Sequence, residues 1–430
     1  MSSKYDNFLQ VNPDRSRKTT AAERLIQISS DEVGMLSRPL EDEGYYHGYL
    51  TKDEAGNIIK KPGEFLVRKT VLQNHVSYVI SVWHARNTHH ILIRKTRKKR
   101  LFWVRKFAFK SIGELIEYHV RNREPVHDNM IIQIPVCRKN WQLNHEQVEV
   151  GKLLGAGAFG QVFKGQLQVS AFRARIPVAV KTLTNSTYLT EDERIQFLRE
   201  ANTMLKIRHP NVVKFYGVGA QKEPIMIVME FCHGGSLESL LRKEPCTDAQ
   251  KIIFVYGAAK GMAYVELMKV IHRDIASRNC LLGSKNEIKI SDFGLAAVGT
   301  EYKDRKMKNV PARWMAPETL KSGKYSSKSD VWSFSVLVWE IYHEAKEPYY
   351  DYQDIRALIE LKFEQWVPSD MLELYKKCHS FEPQDRPSFK QIRDRVAEME
   401  RVEVEKPPSA INKFFHRLVH RNNNNNDISV

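Results

Sequence analysis

The sequence predicts an α+β chain of two domains. Its 430 residues are 42% apolar, enough to fill two cores. Strand-like apolar runs occur at Ser77–Val82, Val148–Leu154, Val162–Phe163 and Val178–Lys181. A helical stretch opens near Thr190, a cap residue followed by Glu191, Asp192 and Glu193 in the first turn. The expected layout is a flexible extension over 1–44, a first domain over 45–136 and a linker over 137–147. A second domain over 148–402 and a disordered tail over 403–430, basic and then Asn-rich, complete it.

The first domain opens on Tyr45-Tyr46-His47-Gly48-Tyr49-Leu50, and Gly63-Glu64-Phe65-Leu66-Val67-Arg68-Lys69-Thr70 follows a polar stretch. An arginine on a strand flanked by Phe, Leu and Val is costly to bury unless an anion meets it. A phosphate supplies that partner in a bidentate contact; a structural salt bridge is the other reading of Arg68. With Ser77–Val82 and Thr88-His89-His90-Ile91 behind them, these motifs resemble an SH2 domain, a central antiparallel sheet flanked by two helices. The resemblance implies phosphotyrosine binding by Arg68, with charge from Lys52, a hydroxyl donor from Thr70 and a pocket oriented by His89. It also implies that His90 lines the groove beyond the phosphotyrosine and that Phe109–His119 forms the closing helix. Tyr45 stands where the family usually has Trp, an aromatic for an aromatic.

The second domain begins with Gly155-Ala156-Gly157-Ala158-Phe159-Gly160-Gln161-Val162, glycines where backbone amides can approach phosphates with no Cβ in the way. Val178-Ala179-Val180-Lys181 is a strand ending in a phosphate-binding lysine, and Glu200 on the following helix is the carboxylate that steers it. His272-Arg273-Asp274-Ile275-Ala276-Ser277-Arg278-Asn279 sets an Asp and an Asn five residues apart. In phosphoryl transfer that Asp takes the proton of the attacking hydroxyl and the Asn holds a metal. Ser291-Asp292-Phe293-Gly294 adds a second metal ligand, and Ala316-Pro317-Glu318 closes the activation segment. Ser329–Phe334 and Asp385-Arg386-Pro387 follow in order. The set resembles a bilobal protein kinase. It implies ATP and Mg²⁺, with Mn²⁺ as the second choice, and metal ligation by Asn279 and Asp292. Leu154, Gly155, Gly157, Gly160, Val162, Ala179, Lys181 and Leu281 are then the nucleotide-binding residues, the glycines through their backbone amides, with hinge backbone groups from Glu230 and Cys232. Glu318 should pair with Arg386, and Asp330 should hold the catalytic loop from below.

Two segments point to tyrosine as the acceptor. Ala276 and Arg278 follow Asp274 where serine/threonine kinases usually carry a Lys, and Val310-Pro311-Ala312-Arg313-Trp314 resembles the platform against which a tyrosine ring packs. Tyr302 takes the position of an autophosphorylation site, whose phosphate would pair with Arg273.

The order of domains, the joint Trp141-Gln142-Leu143-Asn144-His145-Glu146 and Met229 at the gatekeeper resemble the Fes/Fer group of non-receptor tyrosine kinases. The resemblance covers residues 45–400. The long F-BAR and coiled-coil region of that group has no counterpart in some forty preceding residues, so the chain resembles a short member. Ser335 replaces a usual Gly, and His379 a usual Trp. A phosphotyrosine-binding adaptor with a decayed kinase fold is the competing class, as is a membrane-recruited scaffold. Lys181, Asp274 and Asp292 all being present speaks for the enzyme.

Composition narrows the setting. No run is long enough to cross a bilayer, no secretory signal follows Met1, and Ser2 excludes N-myristoylation. Five scattered cysteines without a C-x-x-C argue for reduced thiols and no zinc. The expected location is cytoplasmic. The net charge is +16, and Arg94-Lys95-Thr96-Arg97-Lys98-Lys99-Arg100 and Asn412–Arg421 concentrate part of it. A solvated hairpin and a loose tail, attraction to an anionic membrane surface at the cell periphery, and nuclear import all stay open. Nucleic-acid binding has no fold to support it. Expected partners are phosphotyrosine proteins, protein tyrosine substrates and, through Ile428-Ser429-Val430, a PDZ protein.

Overall fold

The computed structural model describes residues 25–33, 38–72, 75–157, 160–170, 172–183, 191–304, 310–350, 361–363 and 367–405. Thr190, Ala158, Phe159, the Asn412–Arg421 segment, the Asn tract and the C-terminal tripeptide lie outside them. The chain divides into two compact units. One runs to Leu198 and takes in Tyr216–Val228; the other comprises Arg199–Phe215 and the residues from Met229 onward.

The first unit begins with β1 (Ile26–Gln27), α1 (Ser30–Val33), β2 (Tyr46–Tyr49), α2 (Lys52–Ile58), β3 (Glu64–Leu72), β4 (His75–His84) and β5 (Asn87–Lys95). Then come β6 (Phe102–Trp103), β7 (Phe107–Phe109), α3 (Ile112–Arg121) and β8 (Ile134–Pro135). The sheet order is β1-β7-β6-β5-β4-β3-β2, with β8 also on β3. Side-chain alternation sorts the sheet into two faces. Phe65, Val67, Ile80, Val82, Ile91 and Ile93 pack with Ile112, Leu115 and Ile116 of α3. Leu66 packs instead with Leu50, Ala55 and Ile59 around α2. Thr51 and Ser111 cap α2 and α3, each in a reciprocal box with the Glu three residues on.

Residues 25–33 belong to this fold, whereas the sequence reading places them in a flexible extension. β1 pairs in parallel with β7, Ile26 to Phe107 and Gln27 to Ala108. Ile28 and Val33 are buried in the sheet's core, and Arg121 Nη1 donates to Val33 O at 2.7 Å. A two-residue strand has no periodicity to read, and its pairing is set by a partner some eighty residues away.

The same unit holds β9 (Val148–Gly157), β10 (Gly160–Leu167), β11 (Ile176–Thr182), the start of α4 (Glu191–Leu205) and most of β12 (Phe215–Gly219) and β13 (Met226–Glu230). Their order is β12-β13-β11-β10-β9. The joint is built in, not loose: Val218 N donates to Trp141 O at 2.8 Å and Leu143 N to Val218 O at 2.9 Å. Leu143 is buried, and the His145 ring lies 3.2 Å from Gln221 Oε1 and 3.0 Å from Pro224 O. β2 meets the same β12–β13 connection, with Tyr49 N donating to Ala220 O at 2.9 Å and the Tyr46 hydroxyl to Gln221 O at 3.1 Å. Gly48 has a φ of +68°, and a Cβ there would sit 2.0 Å from Ala220 O, so no other residue fits. The Arg194 guanidinium of α4 lies 5.6 Å from the Tyr49 ring and 3.5 Å from Glu223 Oε1.

The second unit contains α5 (Leu237–Lys243), α6 (Asp248–Leu267), β14 (Val270–Ile271), β15 (Cys280–Leu282), β16 (Ile288–Ile290), β17 (Ala297–Val298) and β18 (Glu301–Lys303). They are followed by α7 (Pro317–Ser322), β19 (Lys324–Ser326), α8 (Ser327–Tyr342), α9 (Ser369–Cys378) and α10 (Phe389–Glu405). Ser329 to Tyr342 of α8 are all buried, and α6 packs along α10. The two departures noted in the sequence find each other. Ser335 Oγ lies 2.7 Å from His379 Nδ1, and the imidazole stacks on Trp332 at 3.8 Å.

Candidate functional site

Two sets of residues stand out, one on β3–β5 and one on the loops of the second unit. On β3, Arg68 is 1% exposed. Its Nη1 donates to Leu50 O and its Nε to Ser81 Oγ, both at 3.1 Å. Its Nη2 is buried with no partner. Burial holds the guanidinium pKa down at about 10, against the nearby Glu54. A cation kept dry with one fork nitrogen unused has a donor to offer an anion.

The structure corrects the histidine. His89 Nε2 is spent on His84 O at 3.1 Å, and alternation along β5 turns His89 to the α3 face with Ile91. His90 faces Arg68: its Nδ1 is 2.9 Å from Ser81 Oγ. Burial, then Arg68 and Lys52, hold His90 down at about 3, so it is neutral near pH 7. Ser81 Oγ accepts from Arg68 Nε and also hydrogen-bonds His90 Nδ1, so it links the two side chains. Adjacent histidines on a strand look alike in sequence; only the register, Ser81 opposite His90, separates them. Thr70 shares the Arg68 face by alternation. Ser81 carried no signal of its own.

In the same unit, β9 and β10 form the glycine hairpin, with Val162 opposite both Gly155 and Lys181. Gly160 has a φ of +126°, and a Cβ would lie 2.2 Å from Thr182 O. Lys181 is buried, Ala179 is half-buried, and Gly157 and Leu154 are exposed.

In the second unit, Asp330 of α8 accepts from His272 N at 2.7 Å and Arg273 N at 2.9 Å. Burial raises its pKa to about 7, against those two hydrogen bonds. The loop they fix presents Asp274, whose Oδ1 bonds Arg278 and whose Oδ2 accepts from Asn279 Nδ2 at 2.8 Å. Asn279 Nδ2 also donates to Asp274 O at 2.8 Å. With the amide nitrogen used twice, the side-chain Oδ1 of Asn279 is the end left for a cation, and an oxygen donor suits a hard divalent metal. Ser291 N and Oγ both donate to Asn279 O at 2.9 Å, which ties Asn279 to the residue before Asp292. His272, kept neutral by burial, accepts from Asp274 N on Nδ1 and so donates from Nε2 to Ser291 O, 3.0 Å away. Glu200 is buried on α4. Glu230 is held by Lys214 N at 3.1 Å and Lys289 Nζ at 3.0 Å. Cys232 is buried, its thiol pushed up to about 12, and Leu281 bridges Ser236.

Glu318 and Arg386 form the expected bidentate pair, at 2.8 and 2.9 Å. Glu340 escaped the sequence reading. This buried carboxylate accepts from Ser277 Oγ at 2.7 Å, Ser277 N at 2.9 Å and Trp314 Nε1 at 3.1 Å, and joins the catalytic loop to the expected tyrosine platform. An acid inside the apolar run Val336–Tyr342 was the available signal. Tyr302 is 40% exposed on β18. Arg273 lies 4.5 Å from its ring, and Arg273 Nη2 binds Asp304 Oδ2 at 2.6 Å. A carboxylate therefore occupies the guanidinium expected to receive a phosphate.

Comparison with known proteins agrees with these features. Residues 148–396 match the protein tyrosine and serine/threonine kinase family, and residues 45–119 match the SH2 domain. Fold and motifs together define a protein-tyrosine kinase carrying an SH2 domain. Spermatocyte protein spe-8 of Caenorhabditis elegans is 45% identical over 88% of this chain and 76% of its own length. Fer-related kinase 1 of the same organism is 38% identical over 75% of the chain and 83% of its own length. Human tyrosine-protein kinase Fer is 35% identical over 86% of the chain, which spans 46% of Fer. The chain belongs to the Fer/Fps family of tyrosine kinases. Its SH2 domain binds phosphotyrosine proteins, and its kinase domain uses ATP with a divalent metal. Among the described residues no helix is long and apolar enough to cross a membrane.

Proposed function

We propose that Asp274 is the group that takes the proton of the substrate tyrosine hydroxyl. The observation that carries this is the double hold on its carboxylate by Arg278 and Asn279, which fixes its direction before substrate arrives. Arg278 is itself stacked on Trp314 at 4.2 Å. Asn279 and Asp292 would hold the cation, Mg²⁺ before Mn²⁺, whose chemistry would be to neutralise charge on the transferring phosphoryl group. Lys181 holds the phosphates with the amides of Gly155, Gly157 and Gly160, and Glu200 is its counter-charge. Leu154, Val162, Ala179 and Leu281 give adenine its apolar contacts, and Glu230 and Cys232 supply backbone groups. Lys181→Met and Asp274→Asn should each lower kcat on a poly-Glu-Tyr peptide by about a hundredfold or more. An unchanged rate, or phosphoserine as the main product by mass spectrometry, would overturn the assignment.

Arg68 reads the phosphotyrosine, with Lys52, Thr70, Ser81 and His90 around it. The hydrogen bonds from β2 to Ala220 and Gln221 support a second role, in which the ligand-bound SH2 domain favours the active arrangement of α4. Arg68→Ala should then lower basal activity as well as phosphopeptide binding; loss of binding alone would leave only targeting. A cytoplasmic kinase held peripherally at the membrane fits the charge distribution. The PDZ ligand at residues 428–430 lies outside the described residues.

A further inference from the structure

Between Glu64 and Glu114 the chain has no Asp or Glu and twelve Lys or Arg. Six of these, Arg94, Lys95, Arg97, Lys98, Lys99 and Arg100, are exposed on the β5–β6 hairpin. None of the six forms an ion pair with a carboxylate among the described residues; Lys99 Nζ reaches only the neutral Gln27 Oε1, at 3.1 Å. Like charges crowded without a counter-ion cost free energy unless an anionic partner relieves them.

We infer that this hairpin is a docking surface for a bilayer rich in anionic phospholipid. A bilayer fits better than a nucleic acid because the neighbouring rings are already partly covered. Arg94 lies 5.1 Å over Trp103 and Lys95 4.5 Å over Phe102, so one face of each ring is already taken by a basic side chain and is closed to a stacking base. Their apolar stems lie along the rings while the charged heads stay in water, the arrangement that long basic side chains adopt at a membrane interface. The exposed Ile26 of β1 lies next to Gln27, which the hairpin touches.

The register adds a consequence. Lys69 is opposite Tyr78, and Tyr78 opposite Ile93, the residue before Arg94. The hairpin therefore leaves the sheet at the end where Lys69 and Thr70 lie, so lipid headgroups and a phosphotyrosine on a membrane-bound protein would be met from one side. This rests on the peripheral location proposed above but not on the role of Arg68, and phosphopeptide binding is measured alongside to keep the two apart.

The test compares the full chain with its Arg97→Gln/Lys98→Gln/Lys99→Gln variant in co-sedimentation with phosphatidylcholine vesicles, with and without phosphatidylserine. Wild type should bind only the anionic vesicles and should be released as salt rises from about 0.1 to about 0.5 M. The variant should bind about a hundredfold more weakly, at roughly fivefold per base removed near a charged surface. It should keep the wild-type affinity for a phosphotyrosine peptide and the wild-type rate on poly-Glu-Tyr. Equal vesicle binding by both proteins, or binding indifferent to phosphatidylserine, would overturn the inference. Tighter binding of wild type to duplex DNA than to anionic vesicles at the same salt would overturn the choice of lipid.

Discussion

Replacing Arg68 by methionine separates two roles that a buried guanidinium can have. If Arg68 is a receptor, the free protein carries a penalty for it. Burial lowers the pKa from 12.5 to about 10, and at ~1.4 kcal/mol per pH unit the charged form works against folding by about 3 kcal/mol. The folded value lies below the unfolded one, so the full penalty is present at pH 7 and is relieved only as pH rises above about 10. Methionine removes it. In exchange, Leu50 O loses its donor, at about 1–3 kcal/mol, while Ser81 keeps its bond to His90. These effects nearly cancel, so the melting temperature should stay within about 5 °C of wild type. Binding should not survive: losing one side of a buried charge pair costs about 2–5 kcal/mol, so Kd for a phosphotyrosine peptide should rise between about thirtyfold and a few thousandfold. Scanning calorimetry and titration calorimetry read the two quantities. A melting temperature lowered by more than about 10 °C, with peptide affinity retained, would refute the reasoning and make Arg68 a structural ion.

Three further expectations follow from the second unit. Because Asp304 already holds Arg273, Asp304→Asn should make peptide turnover about tenfold more dependent on Tyr302 phosphorylation, as expected for a pair near 1.4 kcal/mol; the same dependence in both proteins would discount the pair. Glu340→Gln removes the charge that its three donors share and turns the Ser277 hydroxyl from donor to acceptor, so KM for peptide should rise about tenfold at an unchanged KM for ATP; equal shifts in both constants would point to general loosening. His379 is held down at about 3 by burial and then by Arg386, so the unfolded chain takes up this proton first and stability falls with pH between 6.5 and about 3. By pH ~5 the loss should be about 2 kcal/mol, and His379→Phe should flatten the melting temperature over that range; a parallel pH curve would discount the buried imidazole.

What was legible in the sequence is what chemistry forces into short order. The spacing of Asp274 and Asn279 places them on one loop, where they hydrogen-bond each other, and Arg68 is legible as a charge in an apolar strand, where it is buried. What was not legible depends on register or on distant partners. His89 and His90 differ only in which way a strand turns them. Glu340 meets Ser277 from a helix some sixty residues later in the chain. Ser335 and His379 read as two separate losses, yet one supplies the hydroxyl that the other's imidazole needs. Asp304, just past β18, pairs with Arg273 from some thirty residues away, a contact no local motif marks.

The pairing of β1 with β7 bears on how the SH2 domain can be isolated. Its motifs begin at Tyr45, which is where a fragment would naturally be cut. Such a fragment lacks Ile28 and Val33 from its interior and presents Phe107–Phe109 as a bare strand. An aromatic edge with unpaired amides invites another copy to add itself, and a protein that is well behaved with residues 25–44 would then self-associate without them.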